Sequence, residues 1–298
     1  MRWSTEKMQD QTGKVVIVTG SNTGIGFQMA EALATKGATV ILACRNMEKA
    51  EVAKARILSK NPSAFLIPVQ LDLADLSNVK RFSEKIASTQ KRIDILINNA
   101  GVMIPPKSTT KDGFELQIGT NHFGHFALTA HLLPLIEKSD TPRIVTVSSI
   151  VHNVGKIDFG DINGEKKRYN KWGMYSQSKL ANILFALELR RRLKERGSHI
   201  QSLCSHPGYS ATDLQRHSLL WRFLNLFAAI SPKKGAAPTL YAATEEDALS
   251  YPYWGTVGLF EARGRPGKAM INSKAMNESD AKRLWEISEE FTDISYFS

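Results

Sequence analysis

Residues 15–26 read VVIVTGSNTGIG. The first five are all β-branched, as suits a strand buried on both faces. The glycines that follow let the backbone turn sharply and approach a ligand closely. A helical pattern, GIGFQMAEALATKG, starts inside the glycine run and ends at Gly37. A helix beginning there offers free N–H groups and the positive end of its dipole to a pyrophosphate. The spacing is G-x-x-x-G-x-G, not the G-x-G-x-x-G of the common dinucleotide motif. Its place directly after a first strand makes it a candidate phosphate cradle, with Gly20, Asn22, Thr23, Gly24, Ile25 and Gly26 around the ligand.

Outward from this unit, short apolar runs alternate with longer helical ones. TVILAC (39–44), LIPVQL (66–71), IDILI (93–97), RIVTV (143–147) and IQSLC (200–204) read as strands, and KAMIN (268–272) as a seventh. Helices are expected over about 46–60, from Leu76 with Asp75 as N-cap, over about 113–137, from the YSQSK segment to about Arg196, and over 278–292. A charged, glycine-bearing loop occupies 154–173. The alternation argues for βαβ units in a doubly wound, parallel α/β sheet of about seven strands. No linker, repeat or low-complexity segment divides the 298 residues, which read as one domain.

Composition excludes several classes. Hydrophobic residues make up 42% and charged residues 23%, an ordinary globular balance. The cysteines, Cys44 and Cys204, end apolar runs and suit buried thiols in a reducing, cytoplasmic setting rather than a disulfide framework. The opening MRWSTEKMQDQTGK has no apolar signal region, and no stretch approaches the ~20 residues that span a bilayer. The net charge of +10 is scattered, without zinc-finger spacing or basic–aromatic interleaving, so no nucleic-acid partner is expected. A basic surface also suits a polyanionic cofactor. His122, His125 and His206 lack metal-ligand spacing and read as structural.

The second strand ends in ACRN. Arg45 stands nineteen residues after Gly26, where an NAD-binding domain tends to carry an acidic residue for the ribose 2′-hydroxyl. A guanidinium there suits a 2′-phosphate, which points to NADP(H) rather than NAD(H). Further on, Tyr175 and Lys179 lie four apart and share a helix face. A cation beside a phenol favours the phenolate, so the pair could move a proton, or merely begin a surface helix.

Taken together, the glycine motif at 19–26, NNAG at 98–101, NHFG at 121–124, VSS at 147–149, YSQSK at 175–179 and HPG at 206–208 resemble the short-chain dehydrogenase/reductase family. They come in the family's order and span about residues 13–272. DGFELQIGTNHFGHFALT, RIVTVSSIVH and RLWEISEEFT resemble its retinol-dehydrogenase-like branch, which includes the oxidoreductase domain of WW-domain oxidoreductases. The resemblance implies a catalytic set of Asn121, Ser149, Tyr175 and Lys179. Tyr175 would be the general acid/base and Lys179 would lower its pKa and hold the nicotinamide ribose. Ser149 would polarise the carbonyl, and Asn121 would hold a water that links Lys179 to solvent. Asp72 and Leu73 would meet the adenine, with Arg45 and Asn46 near its ribose. Asn99, Ala100 and Gly101 would line the cofactor ribose, and Pro207, Gly208 and Thr212 the nicotinamide end. The family is commonly dimeric or tetrameric.

Two features depart from the family pattern. Ser149 and Tyr175 are 26 residues apart, about twice the usual gap, and the extra length is the loop 154–173. The glycine motif lacks the basic residue that many NADP-binding members place inside it, so Arg45 carries the 2′-phosphate reading. Branch members often have an N-terminal membrane anchor; the absence of one in this sequence favours a soluble enzyme.

After the sixth strand, HSLLWRFLNLFAAISP (217–232) places Leu220, Phe223, Leu224 and Phe227 at helical spacing. Over about 209–232 this would form an apolar lid and suit an aromatic or long-chain aldehyde, a ketone or a retinoid-like molecule. It could equally be core, an oligomer interface or, with Trp221 and Arg222, a peripheral membrane contact. YWGTVG (253–258) could add to the pocket wall. The alternative is an NADP(H)-sensing or scaffold protein of the same fold.

Overall fold

The computed structural model describes residues 3–208, 231–258, 261 and 264–297. Strands β1 (Val15–Thr19), β2 (Thr39–Cys44), β3 (Phe65–Gln70), β4 (Ile95–Asn98), β5 (Arg143–Val147), β6 (Gln201–Ser205), β7 (Tyr253–Val257) and β8 (Arg265–Lys268) form one sheet in the order 3-2-1-4-5-6-7-8. All neighbours are parallel except β7 and β8. The described α-helices are α1 (Gly24–Thr35), α2 (Met47–Leu58), α3 (Leu76–Thr89), α4 (Leu116–Ile118), α5 (Gly124–Ile136), α6 (Lys171–Glu195), α7 (Pro232–Thr244) and α8 (Glu278–Thr292).

Alternate residues of each central strand feed opposite cores. Val16, Val18, Val40 and Leu42 pack with α1, α2 and α7, while Ile17, Ile41, Leu96 and Ile144 pack with α3, α5 and α6. Burial of both faces explains the continuous apolar strands. The strand order reverses between β1 and β4, so a crevice opens at their C-terminal ends, the usual ligand position in such sheets. Asp75 caps α3 by accepting from Asn78 N at 3.0 Å, as the sequence predicts.

Two expectations are corrected. KAMIN is not the seventh strand: only its Lys268 belongs to β8, the eighth, and Ala269 adds one further bond, to Tyr253 O at 3.0 Å. The seventh strand is YWGTV, within the segment assigned above to a pocket wall. Gly255 at its centre weakens the strand signal, but a Cβ there would lie 1.9 Å from His206 Nε2. Close packing of the His206 ring requires that glycine. The helical region expected over 113–137 is also interrupted. Between α4 and α5 the chain makes a π-helical turn, Gly119–Phe123, in which Gly124 N bonds back to Gly119 O.

Candidate active site

The glycine turn begins where β1 ends. Gly20 has φ +67°, and its Cα faces Ala100 so closely that an added Cβ would come within 3.0 Å of it. At Gly26 a Cβ would lie 2.3 Å from Gly20 O and 2.6 Å from Asn99 Nδ2. The turn is thus closed on itself and on the NNAG segment, and Asn99 Nδ2 donates to Thr19 O at 2.7 Å. Thr19 Oγ1 accepts from the main-chain N–H of both Asn99 and Ala100, each at 2.9 Å. These bonds fix two loops from different strands as one wall.

A cleft of about 700 Å³ runs along that wall. Gly20, Asn22, Thr23, Gly24, Ile25 and Gly26 line one part of it, and Arg45, Asp72 and Leu73 line the end beyond β2 and β3. Asn99, Ala100 and Gly101 line the middle, and Ser149, Tyr175, Lys179, Pro207 and Gly208 the far end. Thr212 and the apolar stripe Leu220, Phe223, Leu224 and Phe227 lie outside the described residues. Asn46 is not brought to the cleft surface; its side chain caps α2 by accepting from Lys49 N at 2.8 Å. Lys49 does line the cleft beside Arg45. Sequence reasoning passed over it, although it lies one turn further along the same chain. Val102, Met103, Ile150, Val151 and Trp172 also line the cleft and were not foreseen; Trp172 precedes Tyr175 by three on α6 and so shares its face.

Tyr175 and Lys179 sit on the first turns of α6, whose N-cap Asn170 accepts from Trp172 N and Gly173 N. Ser148 Oγ donates to Lys179 O at 2.7 Å, and Asn182 Nδ2 donates to Val147 O at 3.0 Å, so α6 is tied to the end of β5. Lys179 Nζ donates to the same Val147 O at 3.3 Å and lies 5.8 Å from the centre of the Tyr175 ring. The Ser149 hydroxyl accepts from Val151 N at 3.4 Å and lies close enough to the Tyr175 phenol to favour its ionised form.

Burial pushes the Tyr175 phenol up to about 12, and the nearby Ser149 hydroxyl offsets only part of this. Burial likewise pushes the Lys179 ammonium down to about 8. The displacement of Tyr175 is set by desolvation, which favours the neutral phenol. At neutral pH the phenol holds its proton.

Asn121 lies in the π turn and is buried. Its side chain accepts from Val102 N at 2.8 Å and donates to Val102 O at 3.0 Å and Ser178 Oγ at 2.9 Å. Its main-chain carbonyl can only accept, so His125 Nδ1, at 3.0 Å, carries the proton. His125 Nε2 then accepts from the Thr19 hydroxyl at 3.0 Å. Burial drives the His125 imidazolium down to about 4, consistent with that neutral tautomer. A buried chain thus links the π turn to the glycine wall. Such turns are frequent at functional sites.

Among the described residues no helix is long and apolar enough to cross a membrane, and no group of three His, Cys, Asp or Glu is disposed to hold a metal. Cys44 and Cys204 are free and buried.

Comparison with known proteins agrees with this geometry. The family model described as short chain dehydrogenase matches residues 14–222. Human retinol dehydrogenase 11 is 42% identical over 281 residues, covering 93% of this chain and 85% of that protein. Human retinol dehydrogenase 13 is 41% identical over 287 residues, covering 92% and 82%. The crystal structure of an uncharacterized protein from Mycobacterium Paratuberculosis is 39% identical, with a TM-score of 0.83 over 99% of both chains. The chain belongs to the short-chain dehydrogenase family, in its retinol-dehydrogenase-like branch, and is an oxidoreductase of the alcohol/carbonyl couple.

Proposed function

We propose that the chain is an NADP(H)-dependent oxidoreductase that interconverts an apolar carbonyl and its alcohol. The observation that carries this reading is the convergence of Ser149, Tyr175 and Lys179 at one end of a cleft whose other end holds Arg45 and Lys49. The residues present fit a dinucleotide. Gly20, Gly24 and Gly26 bring the backbone at the start of α1 to the cleft, and two cations line the end beyond β2 and β3, where a 2′-phosphate would be read. Arg45 and Lys49 would hold that phosphate, Asp72 and Leu73 the adenine, and Tyr175, Lys179, Pro207 and Gly208 the nicotinamide half.

NADPH, when bound, supplies the hydride. Tyr175 supplies the proton, because its phenol is protonated through the neutral range and can neutralise a developing alkoxide. Ser149 shares the developing charge through its hydroxyl. Lys179 adds a buried positive charge to the same site, held in place by Val147 O. Ile150, Val151, Val102, Met103 and Trp172 give the cleft's mouth its apolar character, which supports an aromatic or long-chain aldehyde, a ketone or a retinoid-like substrate.

Arg45→Asp is expected to weaken NADPH by about tenfold to a hundredfold, the equivalent of about 1.5–3 kcal/mol for a charge-assisted contact. It should leave NADH much less affected. Titration of each cofactor into the variant checks this, and an unchanged ratio would mean that the 2′-phosphate is read elsewhere.

The pH dependence follows from the two displaced groups. Lys179 is cationic below about 8 and loses its charge as pH rises through that value. Tyr175 keeps its proton until about 12. Reductive kcat/KM should therefore decline as pH rises through about 8. Lys179→Met should remove that limb of the profile. Initial rates across buffers of constant ionic strength read both.

A further inference from the structure

A second cleft, of about 580 Å³, opens beside the first. Pro105, Pro106 and Lys107 form one side, and Arg168, Lys171 and Trp172 line the other. Trp172 lines both clefts and so stands at their junction. The lining includes three cationic side chains and no carboxylate. Among the described residues, Arg168 and Lys171 have no acidic group within ion-pairing distance. Lys107 Nζ donates to Gly164 O at 3.3 Å and lies 5.5 Å from the centre of the Tyr169 ring.

The frame that carries these cations is fixed. Tyr169 OH donates to the buried carboxylate of Glu115 at 2.8 Å, and Gln117 Nε2 donates to Lys171 O at 2.9 Å. Asn170 caps α6 through Trp172 N and Gly173 N at 3.1 and 3.2 Å. Lys171 and Tyr175 are four apart on α6, so the cations start about 6 Å along the helix axis from the proposed proton donor. Most of the first cleft is matched to a dinucleotide. Trp172, shared by both linings, gives a substrate longer than its reacting end a route into the second cleft.

We propose that the two clefts form one substrate site, and that the second binds a carboxylate at the far end of an apolar aldehyde. The inference rests on the carbonyl reductase reading above. Trp172, Tyr169 and the two prolines would contact the chain, and Arg168 and Lys171, with Lys107, would pair with the terminal anion. Arginine in particular presents a fork that matches a carboxylate.

The test compares a straight-chain aldehyde of about eight carbons bearing a terminal carboxylate, long enough to exceed the ~6 Å helix spacing, with its methyl ester. Benzaldehyde serves as a short reference. NADPH consumption gives kcat/KM for each with the full chain. The carboxylate is expected to be preferred over the ester by about five- to tenfold at low salt, through exposed ion pairs and electrostatic attraction. The preference should fall toward unity in Arg168→Gln/Lys171→Gln and at high ionic strength, while benzaldehyde turnover holds. Equal kcat/KM for acid and ester in the wild type, with both turned over, would overturn this inference alone, as would a preference that survives in the double variant. Failure to turn over any of the three would overturn the reductase reading and this inference with it.

Discussion

Tyr175→Phe lowers reductive kcat by about a thousandfold or more while NADPH affinity stays within about twofold, because the phenol acts on the proton in the transition state rather than in cofactor binding. The substitution removes one oxygen from a buried ring that keeps its place on α6. Removal of this single hydroxyl costs on the order of 1 kcal/mol of stability or less. The fold should therefore survive, and the kinetic loss can be read as chemistry. Ser149→Ala is expected to fall less far, because it removes a hydrogen bond to the developing charge but leaves the proton source. Stopped-flow turnover with parallel NADPH titration checks both. Equal activity of Tyr175→Phe and wild type would remove Tyr175 from the reaction.

Gly26→Ala is the second large effect, and it acts through the cofactor wall. The new Cβ would lie 2.3 Å from Gly20 O, 2.6 Å from Asn99 Nδ2 and 2.9 Å from Gly20 C. Two of these atoms are backbone. Relief requires the glycine turn to move away from α1 and Asn99, which holds Thr19 O, to shift as well. Overpacking of this kind costs about 1–3 kcal/mol of stability. The larger consequence is local: NADPH affinity should fall by at least about a hundredfold, since the N–H groups at the head of α1 would no longer face one point. Thermal unfolding with and without NADPH separates the two. The variant should lose some intrinsic stability and nearly all of the cofactor-dependent increase.

Much of the architecture was legible because local and global signals agreed. β1 is a β-branched run followed by glycines, α3 starts at a capping aspartate, and α8 covers the expected 278–292. β7 was hidden because its central Gly255 serves His206, a long-range contact that no local pattern records. The π turn was hidden for a similar reason. Its carbonyl partner is His125, which is held in turn by Thr19 of β1. At the site, residue identity and spacing could indicate that Tyr175 and Lys179 would be neighbours, but not how deeply both would be buried. Burial decides the direction of both pKa displacements. Asn46 shows the converse: a plausible cofactor ligand by position, its side chain is engaged in capping α2, while Lys49 reaches the cleft.

The most direct test of the central claim is NADPH consumption by the purified protein against aldehydes and ketones of graded size and polarity, with NADH in parallel. Turnover of apolar carbonyls is expected, faster with NADPH than with NADH. Tight NADPH binding without turnover of any carbonyl on the panel would contradict it, and would leave a protein that holds the cofactor without using it.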